Sequence, residues 1–237
     1  MISVCIATYN GEKYIKEQLL SILSQIGIED EVIVSDDGSV DHTIDIINSL
    51  HDHRIQIIKG PQLYSPTLNF ENALKVAKGD YIFLADQDDV WKKEKVKTCL
   101  HELENHSDCI VSDAEVTDSQ LHVIFKSLFK LLKIRNNKYY NALWRNGYTG
   151  CCMAFKRKIL EYALPFPKDI PMHDIWIGNV AAFHYHTKFI NNQLIYFRRH
   201  KEATSCNAKG SRFSIFQKIT FRWQVIKNLI LLNHRKK

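Results

Sequence analysis

The chain has 237 residues, 45% hydrophobic and 24% charged, with a formal net charge of +6. This is ordinary globular composition, long enough to bury a core without disulfides and too evenly mixed for a disordered chain. The charge is unevenly spread: no acidic residue follows Glu202, while Lys209, Arg212, Lys218, Arg222, Lys227, Arg235, Lys236 and Lys237 do.

In chain order, Ile2–Ala7 is a short β-branched apolar run and predicts a strand. The segment Lys13–Gln25 carries a helical apolar stripe, and Glu31–Ser35 predicts a second strand. Asp41–Leu50 predicts a helix that Ser39 or Asp41 can cap. Strand Ile55–Ile58, helix Asn69–Ala77, strand Tyr81–Ala85, helix Lys92–Asn105 and strand Cys109–Ser112 continue the alternation. The second half is less regular. Ile124–Ile134 is amphipathic, Gly150–Lys156 and Leu194–Arg198 read as strands, His173–Tyr185 becomes helical, and Phe213–Leu232 predicts a long helix with an apolar stripe. The pattern predicts an α/β fold, a mainly parallel sheet flanked by helices, with ligands at the carboxyl ends of its strands. The boundaries expected are a domain over 1–205 and a basic amphipathic helix over 206–237. No apolar run is long enough to span a bilayer, and no leader precedes the first strand, so no signal peptide is expected. The cysteines Cys5, Cys99, Cys109, Cys151, Cys152 and Cys206 show no metal-ligand spacing and read as buried free thiols of a reducing compartment. A cytoplasmic protein is expected.

Polar clusters follow three of the predicted strands: Thr8-Tyr9-Asn10-Gly11-Glu12, Asp36-Asp37-Gly38-Ser39 and Asp86-Gln87-Asp88-Asp89. Three carboxylates within four residues repel one another, and a hard divalent cation, Mn2+ or Mg2+, would offset that repulsion and hold a diphosphate. The simpler alternative is that Asp89 caps the following helix. The pair Asp36-Asp37 before Gly-Ser is equally a common turn, but on the neighbouring strand a carboxylate there can accept from a base imide or ribose hydroxyl, with Tyr9 packed beside the same base. His173-Asp174 opens a predicted helix, where Asp174 can act as a general base, as a cap, or as both. Arg198 and Arg199 are candidates for diphosphate contact.

In order and spacing, T-Y-N-G-E, D-D-G-S-x-D and L-A-D-Q-D-D-V-W resemble family 2 glycosyltransferases over residues 1–95. Gly150-Cys151, Met172–Trp176 and Phe197–His200 extend the resemblance to about residue 200. The family is inverting and has the GT-A fold, and the D-Q-D-D-V-W variant resembles rhamnosyltransferase-like bacterial enzymes that build surface polysaccharides. The resemblance implies that Ala7, Tyr9 and Asp37 line a nucleobase pocket. It also implies that Asp86 and Asp88 approach the ribose and metal, with Asp88 a direct ligand, and that Asp174 is the base. His200 stands where the family's Y-R-x-H pattern has its histidine, against metal or diphosphate. Phe197 replaces the tyrosine of that pattern, and Lys201-Glu202 replaces its usual glycine and asparagine. The partners implied are a nucleotide-sugar donor and a saccharide or lipid-linked acceptor.

Three other classes compete, one of them a non-catalytic nucleotide-sugar-binding domain if Asp174 is not the base. A nucleotidyltransferase would carry a Gly-rich basic loop after its first strand, which Thr8–Glu12 is not. A nucleic-acid-binding protein would use the basic tail, but the apolar face of Phe213–Leu232 argues against it. That helix is expected to lie on the inner face of an anionic membrane, to pack on the domain or to form a dimer contact.

Overall fold

The computed structural model describes residues 1–200 and 214–235. The first half folds as the alternation predicts: β1 (Ile2–Thr8), α1 (Ile15–Leu23), β2 (Glu31–Asp36), α2 (Thr43–Asn48), β3 (Ile55–Lys59), α3 (Pro66–Val76) and β4 (Tyr81–Asp86). Val4, Cys5 and Ile6 of β1, Val32, Ile33 and Val34 of β2, and Ile82, Phe83 and Leu84 of β4 are all buried. Consecutive apolar residues suit a parallel sheet because helices cover both of its faces. The order β3-β2-β1-β4 is parallel throughout, with Thr8 opposite Asp36 and Ala7 opposite Asp86. The carboxyl ends of these strands therefore share one edge, and the three polar clusters meet there. Helix α3 starts three residues before the predicted Asn69, because the Ser65 side chain accepts from the Leu68 N–H and Pro66 occupies the first turn.

The second half adds β5 (Val90–Trp91), α4 (Lys95–Asn105), β6 (Cys109–Thr117), β7 (Val123–Phe125), α5 (Leu128–Leu132), α6 (Lys138–Leu143), β8 (Met153–Lys156), α7 (Leu160–Ala163), α8 (His173–His184), β9 (Thr187–Arg198) and α9 (Ile215–Arg235). Here the sheet is mixed. β8 lies antiparallel between β4 and β6, β6 and β9 are parallel, and β5 closes antiparallel on β9. The amphipathic run 124–134 is two elements. Its start extends the sheet as β7, and Ser127 then caps α5 by accepting from the Lys130 N–H. Gly150–Cys152 is a tight 3-10 turn, so the strand expected from Gly150 begins at Met153. The strand expected at Leu194 begins at Thr187, because pairing with β6 covers polar residues that lack a strand-like pattern.

Helix α9 docks on the domain. Val225 and Leu229 are buried, Asn228 and Lys227 reach the Asp169 carboxylate at 2.8 and 3.1 Å, and Arg222 donates to the carbonyls of Asn141 and Trp144. The expected boundary at 205/206, Cys206 and Lys201-Glu202 lie outside the described residues. Cys5, Cys99, Cys109, Cys151 and Cys152 are buried and free, and no helix among the described residues is long and apolar enough to cross a membrane.

The middle of α8 comes close to the chain leading into β8. A Cβ added at Gly178 would stand 2.2 Å from the ring of Tyr148, which is itself buried. Gly178→Ala is therefore expected to destabilise the fold by about 1–3 kcal/mol through overpacking. Urea unfolding reads this, and an unchanged midpoint would show that the contact yields freely.

Candidate active site

Asp86 ends β4, and the chain turns through Gln87, Asp88 and Asp89 before returning as β5. Pairing of Val90 with Tyr196 and of Trp91 with Ile195 sets this turn against the end of β9. The Asp89 carboxylate is buried and accepts the Arg198 backbone N–H at 2.9 Å. Two residues on, His200 Nε2 stands 2.7 Å from the Asp88 carboxylate. Asp89 does not cap a helix: α4 is preceded by Glu94, and the Trp91 N–H goes to Ser21 Oγ at 2.9 Å. The Arg198 side chain is buried. Its guanidinium donates to Glu17 at 2.6 Å and to the Ser119 carbonyl at 3.0 Å, and lies 4.4 Å from the centroid of the Tyr14 ring. Tyr14 also contacts the His200 ring, with centroids 4.9 Å apart. Arg198, expected to touch a diphosphate, engages these protein groups through its two terminal nitrogens, while its buried Nε has no hydrogen-bond partner, and it holds the loop that carries His200.

The acidic groups at this edge perturb one another. Burial pushes Asp86 up to about 7, helped by the charges of Asp88 and Asp174, and burial with Asp88 and Asp86 pushes Asp89 well above the usual carboxylate range. Asp86, Asp89 and Cys151 place donor atoms within 4.8 Å of one another. Asp174, in the first turn of α8, is raised to about 6 by burial, although the Ile175 N–H donates to it at 2.7 Å. A helix N-terminus favours the charged carboxylate, so here desolvation outweighs the dipole. Gly150 allows this approach: a Cβ there would lie 2.8 Å from His173 Nε2 and 3.5 Å from Asp174 Cβ. His173 is buried, stacked on Phe70 with centroids 4.0 Å apart, and burial lowers its pKa to about 3, so it is neutral.

On the other side of the acidic turn, the Tyr9 backbone is clamped in both directions by Gln87, which accepts from its N–H at 3.0 Å and donates to its carbonyl at 3.1 Å. The exposed Tyr9 ring meets Tyr64 edge-on at 5.0 Å. Ala7 lies in the register beside Asp86. Asp37 is buried and accepts the N–H groups of Leu63 at 3.2 Å and Ser65 at 3.1 Å. It thus fixes the segment that presents Tyr64, one step behind the aromatic pair. Asn69 donates to the carbonyls of Thr8 and Ser35 and ties the ends of β1 and β2 together.

The structure therefore gathers Ala7, Tyr9, Asp86, Asp88, Asp174 and His200 at one edge, and places Asp37 and Arg198 as supports. Sequence reasoning missed Gln87, Tyr64, Tyr14, Glu17 and Cys151. Gln87 stood inside the motif without an assigned role. Tyr14 read as part of the apolar stripe of α1, and nothing local to Glu17 signals an ion pair with a residue near the end of β9.

A sheet with nucleotide-site architecture, an acidic turn after its fourth strand and a half-buried carboxylate facing that turn define a glycosyltransferase of the GT-A type. The family described as Glycosyl transferase family 2 matches residues 3–163, and the chain belongs to that family. The chain is 27% identical to the dTDP-rhamnosyl transferase RfbG of Shigella flexneri, over 93% of this chain and 82% of that protein. It is 39% identical over 44% of its length to WfaP of Escherichia coli, a UDP-Glc:alpha-D-GlcNAc-diphosphoundecaprenol beta-1,3-glucosyltransferase, of which the match spans 41%. Among solved structures, Staphylococcus aureus TarS 1–349 in complex with UDP-GlcNAc superposes with a TM-score of 0.72 at 22% identity, over 98% of this chain and 66% of that one. Glucosyl-3-phosphoglycerate synthase of Mycobacterium tuberculosis, in complex with Mn2+, UDP and phosphoglyceric acid, gives 0.63 at 18% identity, over 98% and 78%. These structural likenesses show the fold.

If Asp37 fixes the 62–65 segment, Asp37→Ala releases two charge-assisted hydrogen bonds. Hydrogen exchange at the Leu63 and Ser65 amides is then expected to quicken by about tenfold or more. Unchanged exchange at both would show that the segment is held by other contacts.

Proposed function

We propose that this glycosyltransferase moves a sugar from a nucleoside-diphosphate sugar to a hydroxyl of a saccharide or lipid-linked acceptor in surface-polysaccharide synthesis, with inversion at the anomeric centre. The observation that carries this reading is the placement of Asp174: a half-buried carboxylate with a raised pKa, within electrostatic reach of Asp86 at the acidic turn that also holds Asp88 and His200. RfbG, WfaP and TarS, by what their names and complexes state of them, support a nucleotide-sugar donor and an acceptor of this class.

The residues fit a divalent cation. His200 Nδ1 and Asp89 Oδ2 are buried without a hydrogen-bond partner, and burial together with the neighbouring carboxylates displaces Asp86 and Asp89 toward their protonated forms, which a cation would oppose. Asp88 and His200 would hold Mn2+ or Mg2+, with Asp86 close by. The bound ion would supply charge to the departing diphosphate. Tyr9 and Tyr64 offer faces and edges for a base, and Asp37 orders the loop behind them. The acceptor hydroxyl oxygen bonds to the anomeric carbon as its proton passes to Asp174, and the bond from that carbon to the diphosphate oxygen breaks. The nucleoside diphosphate leaves with the electron pair. Attack from the face opposite the leaving group inverts the centre.

Asp88→Ala is expected to fold normally, since removing one of several crowded acids relieves repulsion, and to lose metal-dependent transfer. Near-normal activity of the folded variant at saturating metal would remove Asp88 from the ligand set.

Asp174→Asn is expected to lower kcat by about a hundred- to ten-thousand-fold while donor affinity, read by calorimetry, is kept. In the wild type kcat should fall as pH drops through about 6, where Asp174 takes up a proton. Because its folded pKa lies above the unfolded value of 3.8, ionisation of Asp174 opposes folding above that window and ceases to matter below it. The asparagine variant should therefore melt higher than wild type at neutral pH, the gap closing as pH falls from 6 toward 4. Loss of donor binding together with turnover would instead make Asp174 a donor-site residue.

A further inference from the structure

We propose that α6 and α9 form one docking face for an anionic lipid bilayer. The two sides of α9 differ. Val225, Asn228 and Leu229 are buried against the domain, whereas Phe216, Ile219, Trp223 and Ile230, spaced to share the other side, stand 82, 62, 64 and 51% exposed. Docking through the inner face thus leaves an outer apolar ridge uncovered. At the end of α6, Leu143 and Trp144 are 58 and 77% exposed. Arg222 joins the two elements, since its guanidinium donates to the carbonyl of Trp144 and its own neighbour in the chain is Trp223. Of the four tryptophans, Trp91 and Trp176 are buried and these two are not. Tryptophan favours the membrane–water interface, where its ring is apolar and its N–H is wet.

Charge selects the occupant. Residues 119–160, which include α6, contain no Asp or Glu, and neither does the chain after Glu202. The patch is therefore built from two acid-free stretches bearing Lys133, Arg135, Lys138, Arg145, Lys218 and Arg222. Among the described residues, the acid that bonds α9 is Asp169, which is already matched by Lys227 and Asn228. A symmetric pairing of two copies sets the same patch against itself, and here that would bring base against base with Asp169, already paired to Lys227, as the acid beside α9. An apolar ridge with aromatic anchors and basic flanks is what an interfacial helix presents to anionic headgroups.

The test is co-sedimentation of the full chain with phosphatidylcholine vesicles with and without phosphatidylglycerol. The protein should bind the anionic vesicles, bind the neutral ones poorly, and be released by salt. Combined Trp144→Ser, Phe216→Ser and Trp223→Ser should weaken binding by about tenfold or more, since large apolar side chains are lost from the interface, without lowering the melting temperature. Equal binding by variant and wild type, or no preference of the wild type for anionic vesicles, overturns the proposal. So does analytical ultracentrifugation that finds a wild-type dimer, made monomeric by the same changes, with no vesicle binding. Should the triple variant misfold, tryptophan quenching of the wild type by lipids spin-labelled near the headgroup decides, because Trp91 and Trp176 are shielded. Quenching is expected, and unquenched emission on anionic vesicles overturns the assignment.

Discussion

Everything at the catalytic edge depends on how the fold accommodates three carboxylates in one turn. Asp86, Asp88 and Asp89 leave β4 together, and burial raises the cost of charging the first and the last of them. The protein answers each differently. Asp89 takes a backbone N–H from Arg198, Asp88 takes the imidazole of His200, and Asp86 has the Cys151 thiol as a hydrogen-bond donor but only Asp88 and Asp174 as charged neighbours. A turn in this state stores an affinity for positive charge, since a cation relieves what the residues cannot relieve among themselves.

That arrangement rests on a two-residue strand. β5 pairs with β9, and this pairing helps to bring Asp88 and Asp89 to hydrogen-bonding distance of His200 and Arg198, more than a hundred positions away. Arg198 consolidates it. A buried guanidinium is costly without partners, and this one has Glu17, the Ser119 carbonyl and the Tyr14 ring. The same residue whose backbone holds Asp89 therefore anchors the strand end to α1 and to the turn after β6. On the far side, Gln87 ties the acidic turn to Tyr9, so base and diphosphate portions of a donor would meet one continuous scaffold.

The parallel half of the sheet was legible because its strands are short β-branched runs, its helices carry stripes, and each strand ends in a polar cluster. That Asp86, Asp88, Asp174 and His200 come together at one edge was legible for the same reason, since they lie at strand ends or at a helix start. The mixed half was not. β8 pairs antiparallel with both its neighbours, and the first half of β9 has the polar residues Asn191, Asn192 and Gln193, which pattern does not assign to a strand. The contacts that Asp37 and Arg198 make within the protein were hidden because both look like ligand-binding groups locally, and only the tertiary structure brings them to Leu63, Ser65 and Glu17. The stripe of α9 was visible, but pattern alone does not separate the side that packs from the side that stays bare.

The most direct test of the cation-binding turn is a Mn2+ titration followed by electron paramagnetic resonance, with a nucleoside diphosphate present. At neutral pH the protein should deplete the free-ion signal. It should release the ion as pH falls below about 7, where Asp86 is protonated in the cation-free turn. A free-ion signal equal to that of the nucleotide alone, at neutral pH and high protein concentration, would contradict the assignment of this turn as the metal site.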